Sequence, residues 1–530
     1  MATQHPTISQ SRSFFAVFMI EMWERFGYYG MQALIVYFMV QRLGFSDERA
    51  NLTWSAAAAL IYVAPAIGGW VGDKVLGTRR TMLLGAVILT LGYALMAVPG
   101  ENTWFLFAAL GVIVVGNGLF KANAGNLVRK IYEGDDSKID SAFTIYYMAV
   151  NIGSTISMLL TPWIKDYFNA PYNGQLSWLF GDSLSAYFGN ELGWHVAFAV
   201  CSVGLLVGLG NYAVMRHALG HIGSPPDEQP LQVGKLGAVL ALGAVAVVAS
   251  TYILNYEDLA SWFVKIAAVV VLGIFIYLIS ACEKSERAGL IAALVLTVQT
   301  VFFFIFYQQM STSLNLFALR NVDWSFDIFG LHLWTWSPAQ FQSFNPIWIM
   351  LLSLPLAWLY TRAGKSGKDF SIAAKFALGF AAVAAGFFIY SAAGHFTTLP
   401  GKASSWVMVW GYGASSLGEL LVSGLGLAMI ARYVPARMGG FMMGAYFVAS
   451  GISQYLGGIV ANYASVPHDI TDPLQTMPIY TSLFFKLGVA GVVCTLIALA
   501  ALPLMNKLSA QHHASHDDAD APLPTIGSEQ

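Results

Sequence analysis

Three charged residues lie inside an otherwise apolar stretch near the start of the chain, in the run EMWERFGYYG at residues 21–30. An ionised side chain at bilayer depth costs about 2.5–3.5 kcal/mol on insertion scales, so such residues usually serve a function. The residues that would share one face of a helix here are Glu21, Glu24, Arg25, Tyr28 and Gln32. Two carboxylates beside one guanidinium form a charge balance that a single proton can change. The pattern therefore indicates proton-dependent chemistry inside a membrane.

The rest of the chain has the composition of a membrane protein. Its 530 residues are 57% hydrophobic and only 11% charged, whereas a soluble domain is about 25% charged. Apolar runs long enough to cross a bilayer recur along the chain, without the short alternating segments of a membrane β-barrel. We predict fourteen spans, at residues 14–41, 51–72, 80–98, 103–128, 140–164, 192–215, 235–255, 261–281, 288–318, 341–361, 372–393, 404–431, 438–464 and 478–504.

The basic residues predict how these spans are oriented. Lysines and arginines cluster after the even-numbered spans, as in Lys74, Arg79 and Arg80, whereas the opposite loops hold few. The positive-inside rule then places both termini in the cytoplasm. Residues 1–12 are polar, so we expect no cleavable signal peptide.

The order of the spans predicts the domain organisation. Six spans are followed by two spans that are rich in small apolar residues and then by six more. This order is typical of transporters built from two bundles, in which the binding site lies at the membrane midplane between the bundles. The chain itself shows no convincing sequence repeat. The predicted units are a cytoplasmic N-terminus (1–13), a six-helix bundle (14–216), a linker with a two-helix hairpin (217–286), a second six-helix bundle (287–505) and a disordered cytoplasmic tail (506–530).

Further polar residues inside predicted spans suggest what the site binds. Lys121 adds a cation to the first half, and Glu419 is the only acid within span twelve. Cations in one half and an anion in the other would suit a ligand with a carboxylate at one end and an ammonium group at the other. Short peptides and amino acids both fit, and the tyrosines nearby favour the larger ligand. Neither the cysteines nor the histidines form a metal site or a nucleophile–base pair, so we expect no metal and no enzyme activity.

Several motifs carry a family resemblance. The loop GGWVGDKVLGTRR at residues 68–80 resembles the loop signature of the major facilitator superfamily. The run at 21–30, FKAN at 120–123, the segment 143–154, FQSFNP at 341–346 and GEL at 418–420 resemble the proton-dependent oligopeptide transporter family, with the bacterial di- and tripeptide permeases as the most similar members. The resemblance extends over nearly the whole chain apart from the tail.

The resemblance implies a fold and residue roles. The fold would be all-α: two six-helix bundles plus two extra helices, fourteen in total, in a bacterial inner membrane. Proton coupling would rest on Glu21, Glu24 and Arg25. The residues implied in peptide binding are Arg25, Tyr28, Tyr29, Tyr62, Lys121, Asn151, Asn345, Glu419, Ser423, Tyr446 and Ser450. The residues implied in gating are Gln32, Asp73, Lys121, Gln308 and Glu419.

The resemblance also implies the mechanism and the partners. The chain would be a symporter of protons with di- and tripeptides that works by alternating access, with Arg25 and Lys121 on the peptide carboxylate. Asn151, Asn345 and Glu419 would hold its amino terminus. The expected partners are protons, peptides and lipid, with no nucleic acid and no cofactor besides the proton, and the expected functional unit is a single chain.

The chain departs from the family pattern at three positions. Gln32 and Gln308 replace a charged pair found in many members, so a contact between them could close the outer side but could not be opened by a proton. Tyr446 stands where many members have a tryptophan, which leaves the pocket size open. The alternative function is a major facilitator exporter or importer of another amphipathic small molecule.

Overall fold

The protein is almost entirely helical in a computed structural model that describes residues 9–100, 102–133, 136–169, 191–284, 286–365, 370–422, 433–434 and 438–519. The helices of the first half and the linker are α1 (Gln10–Tyr37), α2 (Asp47–Val71), α3 (Thr78–Met96), α4 (Thr103–Ile131), α5 (Asp136–Asn169), α6 (Leu192–Met215), α7 (Pro225–Glu228), α8 (Val233–Asn255) and α9 (Glu257–Ala281). Those of the second half are α10 (Arg287–Tyr307), α11 (Ser313–Asn321), α12 (Phe344–Lys365), α13 (Ile372–Ser391), α14 (Ser405–Val422), α15 (Gly439–Ala461) and α16 (Pro473–Ala519).

Short elements complete the connections. Antiparallel strands β1 (Ser325–Ile328) and β2 (Leu331–Thr335) form one hairpin, and β3 (Thr397–Leu399) and β4 (Lys402–Ala403) form a second. A 3₁₀ turn at Gln308–Ser311 separates α10 from α11.

The predicted class of an all-α membrane protein is confirmed. Among the described residues, eleven helical segments are long and apolar enough to cross a membrane. α1 is not one of these segments; it has 28 residues and carries the charged run at 21–30. The total of fourteen spans and the domain boundaries other than the start of the tail stay predictions.

Local capping signals explain where several helices begin. The hydroxyl of Ser46 accepts a hydrogen bond from the Arg49 N–H at 3.2 Å, so α2 begins with its N-cap satisfied and Asp47 in its first turn. Asn102 caps α4 in the same way, through the Trp104 N–H at 2.9 Å. The caps place Asp47 at the end of α2 that lies next to the end of α1.

Glycines bring the helices of the first half close together. α1 packs against α5 and α6, and α4 packs against α2 and α3. A Cβ added at Gly153 would lie 2.2 Å from the Met22 carbonyl oxygen, and one added at Gly68 would lie 1.9 Å from the Gly118 carbonyl oxygen. Only glycine permits these approaches. They hold α5 against the charged part of α1 and hold α2 against α4 beside Lys121.

The second half packs in a similar way, and the extra hairpin touches both halves. α13 lies between α14 and α16, and α10 packs against α15 and α16. In the hairpin, α8 packs on α4 of the first half, whereas α9 packs on α15 of the second. α2 and α15 pack directly on each other across the two halves.

The last helix corrects one boundary of the sequence analysis. α16 continues through Ala519, so residues 506–519 are helical and not the disordered segment that we predicted from residue 506. After Pro503 this stretch contains neither glycine nor proline before its end, and Leu, Met, Lys, Ala and Gln favour helix, so nothing stops the helix from propagating.

Candidate functional site

A cavity lies between the two halves. Its walls come from α1, α2 and α4 on one side, and from α10, the turn after it and α15 on the other. The predicted site residues that line it are Arg25, Tyr28, Tyr29, Gln32, Tyr62, Lys121 and Gln308. The other lining residues are Trp54, Ala58, Ile61, Pro65, Asn117, Tyr307, Met310, Ser311, Phe447 and Gln454.

A buried cluster of four charges lies at one wall of the cavity, and its two cations, Arg25 and Lys121, line that wall. Arg25 donates two hydrogen bonds to the Glu24 carboxylate, one of them from Nη2 to Oε1 at 2.7 Å. The Glu21 Oε1 atom lies 3.6 Å from Arg25 Nε and 3.6 Å from Lys121 Nζ. Both carboxylates are completely buried, whereas the Lys121 side chain is 37% exposed. Two acids therefore neutralise two cations, and the lysine is the member that faces the cavity most openly.

Neighbouring side chains fix the orientation of Arg25. Its Nη2 also donates to Asn117 Oδ1 at 3.0 Å, and the Asn117 amide in turn donates to the Ile61 carbonyl oxygen at 3.1 Å. The guanidinium carbon lies 4.9 Å from the ring centre of Tyr28 and 6.0 Å from that of Tyr29. These contacts hold a planar donor group beside an aromatic wall, which is an arrangement that suits a carboxylate ligand.

A second set of polar side chains surrounds Glu419 on α14. Its Oε2 accepts a hydrogen bond from Asn345 Nδ2 at 2.7 Å, and its Oε1 accepts one from the Tyr147 hydroxyl at 3.4 Å. Asn345 also donates to the Ser416 hydroxyl at 3.1 Å. Tyr147 belongs to the first half and Glu419 to the second, so this carboxylate lies at the junction of the two halves. It carries no ion-pair partner among the described residues.

The residues that line the cavity do not include five predicted binding residues that the structure describes: Asn151, Asn345, Glu419, Tyr446 and Ser450. Asn151 is buried, and its amide donates to the Tyr147 carbonyl oxygen of its own helix at 2.8 Å. Tyr446 and Ser450 are buried on α15, where the Ser450 hydroxyl donates to the Tyr446 carbonyl oxygen at 2.9 Å. Ser423 lies outside the described residues.

The two glutamines predicted to meet across the halves have other neighbours. Gln308 donates its amide to the Ser55 hydroxyl at 3.2 Å, and Ser55 lies on α2, not on α1. Gln32 lines the same cavity as Gln308. The contact between the halves at this level therefore runs from α10 to α2.

Sequence reasoning missed an ion pair between the halves. Arg320 at the end of α11 donates from Nη1 to Asp47 Oδ2 at 2.6 Å and from Nη2 to Asp47 Oδ1 at 2.7 Å. Asp47 also accepts from the Val466 N–H at 3.0 Å, and Arg320 Nη1 donates to the Tyr480 hydroxyl at 2.6 Å. Asp47 and Arg320 lie 273 positions apart and at span ends, so no local sequence signal could pair them.

Hydrogen bonds between the halves concentrate at the end that holds Asp47, hereafter the Asp47 end. Asn51 donates to Asn462 at 3.1 Å, and Trp54 donates to Ser311 at 3.0 Å. The hydrogen bond from Tyr147 to Glu419 also joins the two halves, and it involves neither α2 nor α11. The cavity is thus closed by a polar layer on one side.

The opposite end carries Asp73 and the linker. Asp73 Oδ1 accepts a hydrogen bond from Asn126 of α4 at 2.8 Å, so its partner belongs to the same half. Asp227 of the linker accepts from the N–H groups of Arg79 and Arg80 at 3.1 and 3.4 Å, and thereby caps α3. The Ser224 hydroxyl donates to the Gly72 carbonyl oxygen at 2.7 Å. The linker is therefore hydrogen-bonded to the loop that joins α2 to α3.

The long apolar helices, the two packed halves and the cavity between them define a membrane protein of the major facilitator fold. More specifically, the chain belongs to the POT family, whose profile matches residues 79–477.

Named relatives and solved structures agree with this assignment. Dipeptide and tripeptide permease B of Salmonella typhimurium is 40% identical over 510 residues, which cover 96% of this chain and 98% of the permease. Dipeptide and tripeptide permease A of Erwinia pyrifoliae is 40% identical over 515 residues, with 96% and 98% covered. A crystal structure of tetrameric PepTSo2 shares 69% identity at a TM-score of 0.83 and covers 94% of this chain and 100% of that one.

Proposed function

We propose that this protein is a symporter that imports di- and tripeptides together with protons across a bacterial inner membrane by alternating access. The observation that carries the proposal is the buried cluster of Glu21, Glu24, Arg25 and Lys121 on the cavity wall, since it joins proton-binding groups to cations that a carboxylate ligand can reach. The permeases of dipeptides and tripeptides among its relatives support the substrate class.

The peptide carboxylate binds Arg25 and Lys121 in this proposal. Both cations line the cavity, and both are neutralised by glutamates in the structure. A peptide carboxylate therefore competes with Glu21 for Lys121 and with Glu24 for Arg25. A proton on either glutamate removes its negative charge and releases the cation to the peptide, which couples the two binding events.

The amino terminus of the peptide is held by Glu419, with Asn345 and Asn151 as neighbours. Glu419 supports this role because it is buried and hydrogen-bonded by uncharged groups only, so an ammonium ion would supply the missing opposite charge. Tyr28, Tyr29 and Tyr62 provide aromatic surface along the peptide. Ser423, Tyr446 and Ser450 are proposed as further peptide contacts on the second half, on the basis of the family resemblance.

Gating follows from the layer at the Asp47 end. The ion pair of Asp47 and Arg320, together with Gln308 and Ser55, closes this side, and Gln32 contributes to it from α1. We assign the Asp47 end to the outer face because both termini lie in the cytoplasm in our assignment. Asp73 then acts at the cytoplasmic end, and release of proton and peptide on that side resets the cluster. A single chain contains all of these parts.

Peptide-stimulated proton uptake in proteoliposomes tests the proposal. A pH-sensitive dye inside the vesicles reports proton entry when dialanine, trialanine, tetraalanine or free alanine is added outside. We expect uptake with dialanine and trialanine, and little with tetraalanine or alanine. A preference for free alanine would overturn the peptide assignment, and no proton entry with any peptide would overturn the coupling.

A further inference from the structure

Gln454 on α15 has a donor that the protein leaves unused. Its side chain lines the cavity, and the residue is 1% exposed. The Nε2 atom is buried and has no hydrogen-bond partner among the described residues. A buried amide without a partner costs free energy, so its presence on a cavity wall indicates that something else satisfies it.

A neighbouring glutamine shows that the surroundings can satisfy such a group. Gln309 is buried as well, and its Nε2 donates to the carbonyl oxygens of Ile305 at 3.0 Å and Gly457 at 2.9 Å. Its Oε1 accepts a hydrogen bond from the Ser313 hydroxyl at 2.6 Å. Gln309 is therefore a structural residue that does not line the cavity, whereas Gln454 lines it and has an Nε2 atom without a hydrogen-bond partner among the described residues.

Packing of α15 against α2 gives the position of Gln454 along the axis of α2. A Cβ at Gly451 would meet the Ala59 carbonyl oxygen at 2.7 Å, and one at Gly458 would meet the Ser55 hydroxyl at 2.3 Å. Gln454 lies between these two glycines on α15. It is therefore level with the part of α2 near residues 57–58.

Contacts with α2 also give the position of Lys121 along the axis of that helix. A Cβ at Gly118 would meet the Ala64 side chain at 2.6 Å, and the Asn123 amide donates to the Gly68 carbonyl oxygen at 2.9 Å. Lys121 is therefore level with residues 65–67 of α2. At 1.5 Å per residue, the two levels are about 12 Å apart along the helix axis.

We propose that Gln454 is a subsite for tripeptides, in which its Nε2 donates to a backbone carbonyl oxygen of the peptide. An extended chain advances at most about 3.6 Å per residue, so the first carbonyl of a tripeptide lies about 7 Å from its carboxylate and the single amide carbonyl of a dipeptide about 3.6 Å. With a hydrogen bond of about 2.9 Å at each end, these reach about 13 Å and about 9 Å, so the tripeptide covers the separation of about 12 Å and the dipeptide does not. A dipeptide anchored by its carboxylate at Lys121 does not reach Gln454. This inference rests on the proposed transport of peptides and adds a residue that distinguishes their lengths.

Replacing Gln454 with Met tests the subsite, because Met keeps the length and removes the amide. The loss of one hydrogen bond predicts an increase in KM of about tenfold for trialanine and less than twofold for dialanine. The melting temperature without peptide stays equal or rises, because an unpaired buried donor has been removed. Equal changes for both peptides, an unchanged KM for trialanine, or a lower melting temperature with both KM values raised would overturn the proposal.

Gln309→Met is the matched control. It removes an amide whose partners are all internal, so we expect a lower melting temperature and no difference between the two peptide lengths. Gln454→Glu is a second test of the subsite. It puts an acceptor in place of the donor, so it should weaken trialanine binding more than Gln454→Met does. Tighter binding of trialanine would contradict the assignment of Gln454 as a donor. If the unmodified protein transports neither peptide, the proposed function fails, and that result is distinct from failure of the subsite.

Discussion

The two glutamates of α1 differ in how the protein holds them. Glu24 receives two hydrogen bonds from Arg25, whereas the Glu21 Oε1 atom lies 3.6 Å from Arg25 Nε and 3.6 Å from Lys121 Nζ. Glu24 is thus the structural partner of the guanidinium. Glu21 is shared between Arg25 and the more exposed Lys121, which places it where proton and peptide would compete.

This difference predicts distinct outcomes for Glu21→Gln and Glu24→Gln. Both substitutions should abolish gradient-driven accumulation of dialanine and should leave exchange of labelled for unlabelled peptide in place. Glu24→Gln should in addition cost about 3 kcal/mol of stability, because it leaves Arg25 buried without its charge partner. Counterflow, concentrative uptake and thermal melting measure the three effects. Full accumulation in either variant would show that the cluster does not couple protons to transport.

At the residue scale, the sequence predicted the positions of the charges better than their pairing. The spacing of Glu21, Glu24 and Arg25 was readable because neighbours on one helix face are fixed by helical geometry. The ion pair of Lys121 with Glu21 and the unused donor of Gln454 depend on how separate helices pack. No pattern local to α4 or α15 encodes those distances.

At the scale of elements, the ion pair of Asp47 and Arg320 ties the start of α2 to the end of α11. In the proposed gating, it closes the same side that we expected a contact between Gln32 and Gln308 to close. Its geometry is bidentate, and the Asp47 side chain is almost fully buried, so its hydrogen bonds are charge-assisted and shielded from water.

Breaking this ion pair should open the Asp47 end. We expect Asp47→Asn to lower the stability of the closed arrangement by about 2 kcal/mol, and the exchange Asp47→Arg with Arg320→Asp to recover part of it. The distance between spin labels on Asn51→Cys and Asn462→Cys, in a background without Cys201, Cys282 and Cys494, reports opening. Glu48→Gln is the control, since it alters an adjacent acid of the same helix turn. Unchanged distances between the spin labels in Asp47→Asn would show that the ion pair does not keep this end closed.

A second element depends on the linker. Asp227 caps α3 and is buried, whereas the adjacent Glu228 is exposed. Asp227→Asn should lower the free energy of unfolding by about 1 kcal/mol, the usual value of a helix cap, and Glu228→Gln should leave it unchanged. Thermal melting of the detergent-solubilised protein measures both. Equal melting temperatures of the two variants would show that the cap does not stabilise α3.

Element boundaries were less predictable than element types. The apolar runs identified helices because a membrane requires about twenty apolar residues. The end of α16 was missed because polarity alone suggested disorder, although neither glycine nor proline interrupts the chain between Pro503 and Ala519. The hairpin of β1 and β2 was also missed, since it lies in a loop that the hydropathy pattern does not resolve.

At the scale of the whole molecule, the polar contacts between the halves are distributed unevenly. They concentrate at the Asp47 end, while the extra hairpin touches α4 on one side and α15 on the other. Opening that end therefore requires breaking a small set of polar contacts, and the hairpin keeps the halves in contact meanwhile. The all-α fold followed from composition and hydropathy alone, whereas the placement of the closed layer followed only from tertiary contacts.

Accumulation of labelled dialanine in proteoliposomes tests the central claim most directly. With acid outside and a membrane potential negative inside, each 100 mV supplies about 2.3 kcal/mol per translocated charge. We predict that dialanine inside will exceed its outside concentration at least tenfold, and that a protonophore will reduce the ratio to one. Equal concentrations despite the proton gradient, or accumulation that the protonophore leaves intact, would contradict proton-coupled peptide import.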